Sequence, residues 1–133
     1  MSADLPPQSH AAGGDPAALL RAFGEALARG DAEAAAACFA PDAVYEEPPR
    51  FAFAGRAAIA AFVRDFAERH RDVRFEVLRV LAAPDSLLAA AEWRFSHIRI
   101  ADGARVAYAG MSFVELSADG LIARWRGYSA LVG

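Results

Sequence analysis

The chain has 133 residues, 56% apolar and 23% charged, with 14 basic against 17 acidic side chains and a net charge of −3. That length suits one domain, and the mildly acidic balance with scattered arginines gives no electrostatic footprint for nucleic acid or an anionic membrane. A single cysteine, Cys38, excludes an internal disulfide, a thiolate zinc site and a CxxC redox centre.

A lone cysteine fits a reducing compartment, and no apolar run approaches the roughly 20 residues of a spanning helix. The N-terminal segment lacks the basic-then-apolar layout of a signal peptide, so the expected location is the cytoplasm. Lysine, asparagine and threonine are all absent. Their absence removes Schiff-base chemistry, the GxxxxGK phosphate loop and N-glycosylation from consideration.

Residues 1–14, rich in Pro, Gly and small polar side chains, read as a disordered leader, and a single domain is expected over 15–133. Asp15-Pro16 is a helix start, because the carboxylate can accept a free first-turn N–H and proline loses nothing at the first helical position. Leu19, Leu20, Phe23 and Leu27 form the apolar stripe of that helix, which should stop at Gly30. Asp31 then caps a short second helix expected to run through Ala34 to Phe39 and to end at Pro41. AVYEEPP, residues 43–49, reads as a short strand running into a loop.

Gly55 opens a third helix, in which Ile59, Phe62, Val63 and Phe66 share one face. From Val73 the period becomes two. Val73, Phe75 and Val77 alternate with polar residues, and Pro84-Asp85 turns the chain. The strands LLAAAEWRFSHIRI, RVAYAGMSFVEL and LIARWRGYSALV follow, separated by Asp102-Gly103 and Asp119-Gly120, strong hairpin signals between alternating apolar runs. Helices first and a strand meander afterwards indicate an α+β domain with an antiparallel sheet.

Four pieces in this order, the Gly-Asp corner and the Pro-Asp-Ala lead into the first strand within FGEALARGDAEAAAACFAPDAVYEEPP, then AGRAAIAAF and SADGLIARWRGY, resemble the nuclear transport factor 2-like superfamily. The likeness is to its SnoaL-like members and ketosteroid isomerases, and it covers about residues 15–133. The resemblance implies a cone: a strongly curved sheet closed by three helices around one deep apolar pocket, with the convex face pairing with a second subunit. Strand alternation assigns the faces. Trp93, Phe95 and His97 share one side, as do Tyr45 and Glu47. Glu92, Arg94, Glu115, Arg124 and Arg126 fall outside, where they can pair across strands, together with Met111, Phe113 and Tyr128. That mixed convex surface suits a homodimer contact.

The same resemblance places Glu47 at the general base of the isomerases, which removes a proton from carbon beside a carbonyl. An apolar pocket would raise its pKa and strengthen it as a base. It places Phe23 where those enzymes have an oxyanion-stabilising Tyr, and Ser112 where they have a protonated Asp. Single oxyanion donors are worth roughly 3–4 kcal/mol, so their loss argues against steroid isomerisation, with Ser112, Tyr108 or His97 as replacements. The other reading of Glu47, just before Pro48, is a solvated rim residue.

His97 is a candidate acid, base or donor by its face, or a structural residue by its nearness to the Asp102-Gly103 hairpin. His70 ends the third helix, where a cation complements the macrodipole. Three histidines at 10, 70 and 97 supply no metal-ligand spacing, so no metal is expected, and no cofactor motif appears. The limonene-type epoxide hydrolases of the superfamily use an Asp-Arg-Asp arrangement. Here Arg94, Glu92 and Glu115 all fall outside, with no Asp expected within the strands. Cys38 reads as buried filler.

Trp93, Trp125, Tyr45 and Tyr108, with Phe51 and Phe53, form an aromatic lining suited to a small, flat apolar molecule, or else an ordinary packed core. The expected function is a SnoaL-like small-molecule-binding protein, an isomerase- or cyclase-type enzyme with catalytic Glu47 and His97. Tyr45, Trp93, Phe95, Tyr108, Ser112, Trp125 and Phe23 would bind substrate. The alternative is a non-catalytic ligand-binding or dimerisation module of the same fold.

Overall fold

The computed structural model describes residues 15–132, so the expected leader over 1–14 lies outside the described residues. Helix α1 (Pro16–Ala28) begins as its sequence dictates, with the Asp15 carboxylate accepting from Ala17 N at 3.0 Å. It buries Leu20, Phe23 and Leu27. Gly30 takes φ 72°, and Asp31 caps α2 (Ala32–Ala37) by accepting from Ala34 N at 3.0 Å.

Helix α2 stops before Phe39 rather than including it, because Phe39 already pairs with Ile122 and Cys38 O accepts from Ile122 N at 2.9 Å. Strand β1 (Phe39–Glu47) therefore starts earlier than expected, with Pro41 inside it. Proline lacks an N–H for a ladder, and it falls where the β1 register shifts between Phe39 and Val44. Strand β2 (Phe51–Ala54), not expected from the sequence, pairs antiparallel with β1. The turn between them closes through Arg50 N to Glu47 O at 2.8 Å.

Gly55 (φ 93°) opens α3 (Arg56–Arg69), whose Ile59 and Val63 are fully buried. Strand β3 (His70–Ala82) begins at His70, not Val73, since His70 pairs with Arg99. β4 (Leu88–Arg99), β5 (Arg105–Leu116) and β6 (Ile122–Leu131) complete the meander. With these earlier starts, Asp42 and Asp72 do lie within strands, contrary to expectation, though neither lines the cavity described below.

The six strands form one curved, open sheet in the order β2-β1-β6-β5-β4-β3. It is mixed rather than wholly antiparallel, because β1 and β6 run parallel while every other pair is antiparallel. The meander fixes the direction of β6, and β1 arrives beside it from the helices in the same sense.

Trp93, Trp125, Phe23, Phe39, Leu20 and Ile122 form the fully buried centre between helices and sheet. Each such side chain contributes roughly 1.5–3 kcal/mol. On β5, Ser112, Val114 and Leu116 are buried while Met111, Phe113 and Glu115 are exposed, the alternation its sequence dictates. On the outer face Arg79 pairs with Glu92 at 2.8 Å and Arg126 with Glu46 at 2.9 Å. No described helix is long and apolar enough to cross a membrane.

Candidate active site

Between the helices and the concave sheet face lies a cavity of about 220 Å³. Phe51, Phe62, Phe66, Phe75, Trp93, Phe95 and Tyr108 make most of its wall, together with Tyr45 and Leu27. Polar groups gather at two places: Glu47, Arg50 and Ser129 at one, and His70, His97 and Arg99 at the other.

Glu47 closes β1 and, two residues after Tyr45, faces inward. It is 6% exposed, so it is a buried wall residue and not a solvated rim residue. Its Oε1 accepts from Arg50 Nη2 at 2.5 Å and, at 3.5 Å, from Ser129 Oγ. Arg50 Nη2 also donates to Ser129 Oγ at 2.7 Å, and its guanidinium lies 4.8 Å from the centroid of the Tyr108 ring. Oε2 accepts no hydrogen bond among the described residues and rests against Gly127, where a Cβ would come within 2.8 Å of it.

Burial pushes the Glu47 carboxyl above its ordinary range, and the Arg50 charge opposes this without cancelling it. Trp125 Nε1 points at the carboxylate and lowers its pKa slightly, yet closes no hydrogen bond and remains an enclosed, unpartnered donor. Burial, reinforced by the Glu47 charge, also raises the Tyr45 phenol, so that hydroxyl stays protonated beside the carboxylate.

His97 is 5% exposed and lines the cavity, on the face its alternation with Trp93 and Phe95 predicts. Burial lowers its pKa to about 4, helped by His70 and Arg99, which keeps the ring neutral at pH 7. His70 stacks on Phe66 with centroids 3.9 Å apart. It thus lines the same cavity rather than merely ending α3.

Of the expected binding residues, Tyr45, Trp93, Phe95 and Tyr108 line the cavity, and Phe23, Ser112 and Trp125 do not. Phe23 is fully enclosed, edge-on to Phe39 and Trp125 with centroids 5.2 and 5.4 Å away. Ser112 is occupied as acceptor for Trp93 Nε1 at 2.8 Å, which holds that indole in place. Trp125 is a layer deeper, behind Glu47.

Arg50, Ser129 and His70 were not singled out from the sequence as binding residues. Ser129 continues the inward set of Trp125 and Gly127 and was legible by that rule. Arg50, placed by a turn after two prolines, carried no signal. Cys38 is buried, and burial raises its thiol pKa, as befits an unreactive side chain. Among the described residues no group of three or more His, Cys, Asp or Glu is arranged to hold a metal ion. Glu47 is the one carboxylate in the described lining, so no Asp-Arg-Asp arrangement faces the cavity.

No curated protein matches the sequence. Solved structures do. A candidate polyketide cyclase from Xanthomonas campestris pv. campestris is similar at TM-score 0.73 and 25% identity, over 84% of this chain and 87% of that one. An LEH-like epoxide hydrolase from M. tuberculosis is similar at TM-score 0.74 and 23% identity, over 94% and 86%. A ketosteroid isomerase-like protein from Erwinia carotovora is similar at TM-score 0.68 and 22% identity, over 92% and 96%. The last two share the fold, on which very different chemistries are built. The SnoaL-like domain family matches residues 20–125, and the chain belongs to that family.

Proposed function

We propose that the protein is a cofactor-independent catalyst of proton transfer at carbon, isomerase- or cyclase-like in type, acting on a small apolar or aromatic molecule in the cavity. The observation that carries this reading is Glu47: a buried carboxylate with a raised pKa, the one carboxylate among the described residues lining a largely aromatic cavity, with one oxygen held and the other free of hydrogen bonds. Oε2 takes a proton from carbon beside a carbonyl, and the C–H electron pair moves into a new C=C bond as negative charge reaches the carbonyl oxygen. The phenols of Tyr45 and Tyr108 on the cavity wall are the donors available to that oxygen. Returning the proton to a different carbon completes an isomerisation, and attack of the enolate carbon on a second carbonyl of the same molecule closes a ring, the new alkoxide oxygen taking the proton back from Glu47. The relative from Xanthomonas campestris, described as a candidate polyketide cyclase, supports the second outcome.

The Arg50 contact on Oε1 favours the alternative, a ligand-binding module in which Glu47 serves to hold Arg50 over Tyr108. Proton–deuterium exchange in D₂O, followed by NMR on a panel of cyclic ketones and enones, separates the two. Exchange beside the carbonyl that Glu47→Gln abolishes is the expected result. No exchange above buffer across the panel would overturn the catalytic reading and leave the binding module.

A further inference from the structure

The end of the cavity away from Glu47 plays no part in removing the proton, yet it is lined by polar side chains. Ser129, which touches Glu47, lies level with Gly110 and Trp93 across the sheet. His97 is four residues beyond Trp93 on β4, about 13 Å along an extended strand. It makes no hydrogen bond among the described residues: Nδ1 is enclosed and unpartnered, and Nε2 is the nitrogen left to the cavity.

Buried N–H groups without an acceptor are rarer than unpaired lone pairs. The favoured neutral tautomer therefore keeps its proton on Nε2, which becomes a donor into the cavity. His70, with its ring centroid 4.5 Å from that of His97, is fixed in the complementary sense. Its Nδ1 lies 2.9 Å from Phe66 O, and a carbonyl oxygen only accepts, so Nδ1 carries the proton. With the proton on Nδ1, the lone pair of the ring lies at Nε2. A donor and an acceptor thus stand side by side.

Size narrows the ligand further. Engineered apolar cavities of about 150 Å³ in another protein take benzene, so the roughly 1.5-fold larger space here, walled by Phe66, Phe95 and Tyr108, fits two fused rings. We infer that His97 and His70 form a second polar subsite that recognises a hydroxyl group on a flat bicyclic ligand, the hydroxyl accepting from His97 and donating to His70. A hydroxyl does both through one atom, whereas an ether oxygen or a carboxylate only accepts. A carboxylate would in addition lose its hydration among aromatic walls, and the cation at this end, Arg99, is already paired with Asp102 at 3.1 Å. This inference rests on the cavity being the ligand site proposed above, and it assigns the substrate class of that site.

The test compares naphthalene, 2-methoxynaphthalene, 2-naphthol and 2-naphthoate by calorimetric titration of the full chain as wild type, His97→Phe and His97→Gln. Wild type should bind 2-naphthol roughly tenfold tighter than naphthalene, with the ether between them and the carboxylate weakest. His97→Phe should erase the naphthol preference and His97→Gln restore part of it. In wild-type protein labelled with ¹⁵N-histidine, 2-naphthol should shift the His97 Nε2 resonance and naphthalene should not. Equal affinities for naphthol and naphthalene, a preference that survives His97→Phe, or an unmoved Nε2 resonance would each overturn the inference. The spectrum needs no variant, so it decides the matter even if His97→Phe fails to fold. Loss of the Glu47 reading appears separately, as absent deuterium exchange with the naphthol preference intact.

Discussion

Gly127→Ala probes the carboxylate without substituting it. A Cβ at this position would meet Glu47 Oε2 at 2.8 Å, Ser112 Oγ at 3.0 Å and Trp125 Nε1 at 3.0 Å. Ordinary contact begins near 3.4 Å. The carboxylate must therefore retreat by about 0.6 Å, just past the ~0.5 Å tolerance of a productive site. What yields first is the far end of the Glu47 side chain, while Ser112 Oγ and the enclosed Trp125 Nε1 must each give by a few tenths of an ångström, a strain that opposes the chain entropy of about 0.5–1 kcal/mol that alanine recovers in a strand. Net stability should change by no more than about 1 kcal/mol, or about 4 °C in Tm. Deuterium exchange should fall roughly 10- to 100-fold, because small misplacements of a reacting group are costly. The same substitution at Gly110 acts in the reverse way. Its Cβ would strike three ring atoms of Trp93 at 2.4, 2.6 and 2.8 Å. That ring is 2% exposed, stacked on Phe75 at 5.3 Å and tied to Ser112, so it cannot step aside. Overpacking and the broken hydrogen bond together cost about 2–5 kcal/mol. Calorimetry and the exchange assay on both variants give the comparison. A Gly127→Ala protein that melts and exchanges like wild type would refute the claim that the position of Oε2 governs the chemistry.

Glu47→Gln should stabilise the protein at alkaline pH. Because burial raises the carboxyl of the folded state above 4.5, the folded protein holds that proton more tightly than the unfolded chain. The contribution of this group to wild-type stability is then fullest below 4.5 and is lost as pH rises through the folded value, a loss the glutamine removes. Urea denaturation at pH 4 and pH 8 reads it, and an unchanged gap between the two pH values in the variant would contradict the assignment. The convex face carries Met111, Phe113 and Tyr128 at 54%, 64% and 52% exposure. We propose that a second copy covers them. Light scattering should give a dimer for wild type and a monomer for Phe113→Arg, and a monomeric wild type would refute the contact.

How far the fold was legible depended on how local each signal was. Asp15 and Asp31 announced their helices because a cap is a contact across two or three residues. Asp102-Gly103 and Asp119-Gly120 announced their turns for the same reason, both glycines taking positive φ. The misses were set by pairing over distance. Phe39 belongs to a strand because Ile122 lies opposite it, His70 because Arg99 does, and no local propensity records either partner. The parallel β1–β6 pair is the extreme case, joining the first strand to the last.

The candidate site follows the same division, with one further step. A period of two states which side chains share a face of the sheet but not how deep each one sits. That is why Trp93 and His97 could be assigned to the inner face and Glu47 to the face of Tyr45 with its burial left open, while Phe23, Ser112 and Trp125 are packed behind the cavity wall rather than forming it. Depth depends on curvature and on what the helices cover, neither of which alternation contains. The state of Glu47 depends on both kinds of information. Its inward face could be read from Tyr45 two residues earlier, whereas two of the groups that oppose the burial shift, Arg50 and Ser129, are joined to each other by a hydrogen bond spanning 79 residues. Substituting Ser129 would therefore alter a carboxylate that lies on another strand, an effect that follows from the parallel pairing and from nothing near residue 47 in the chain.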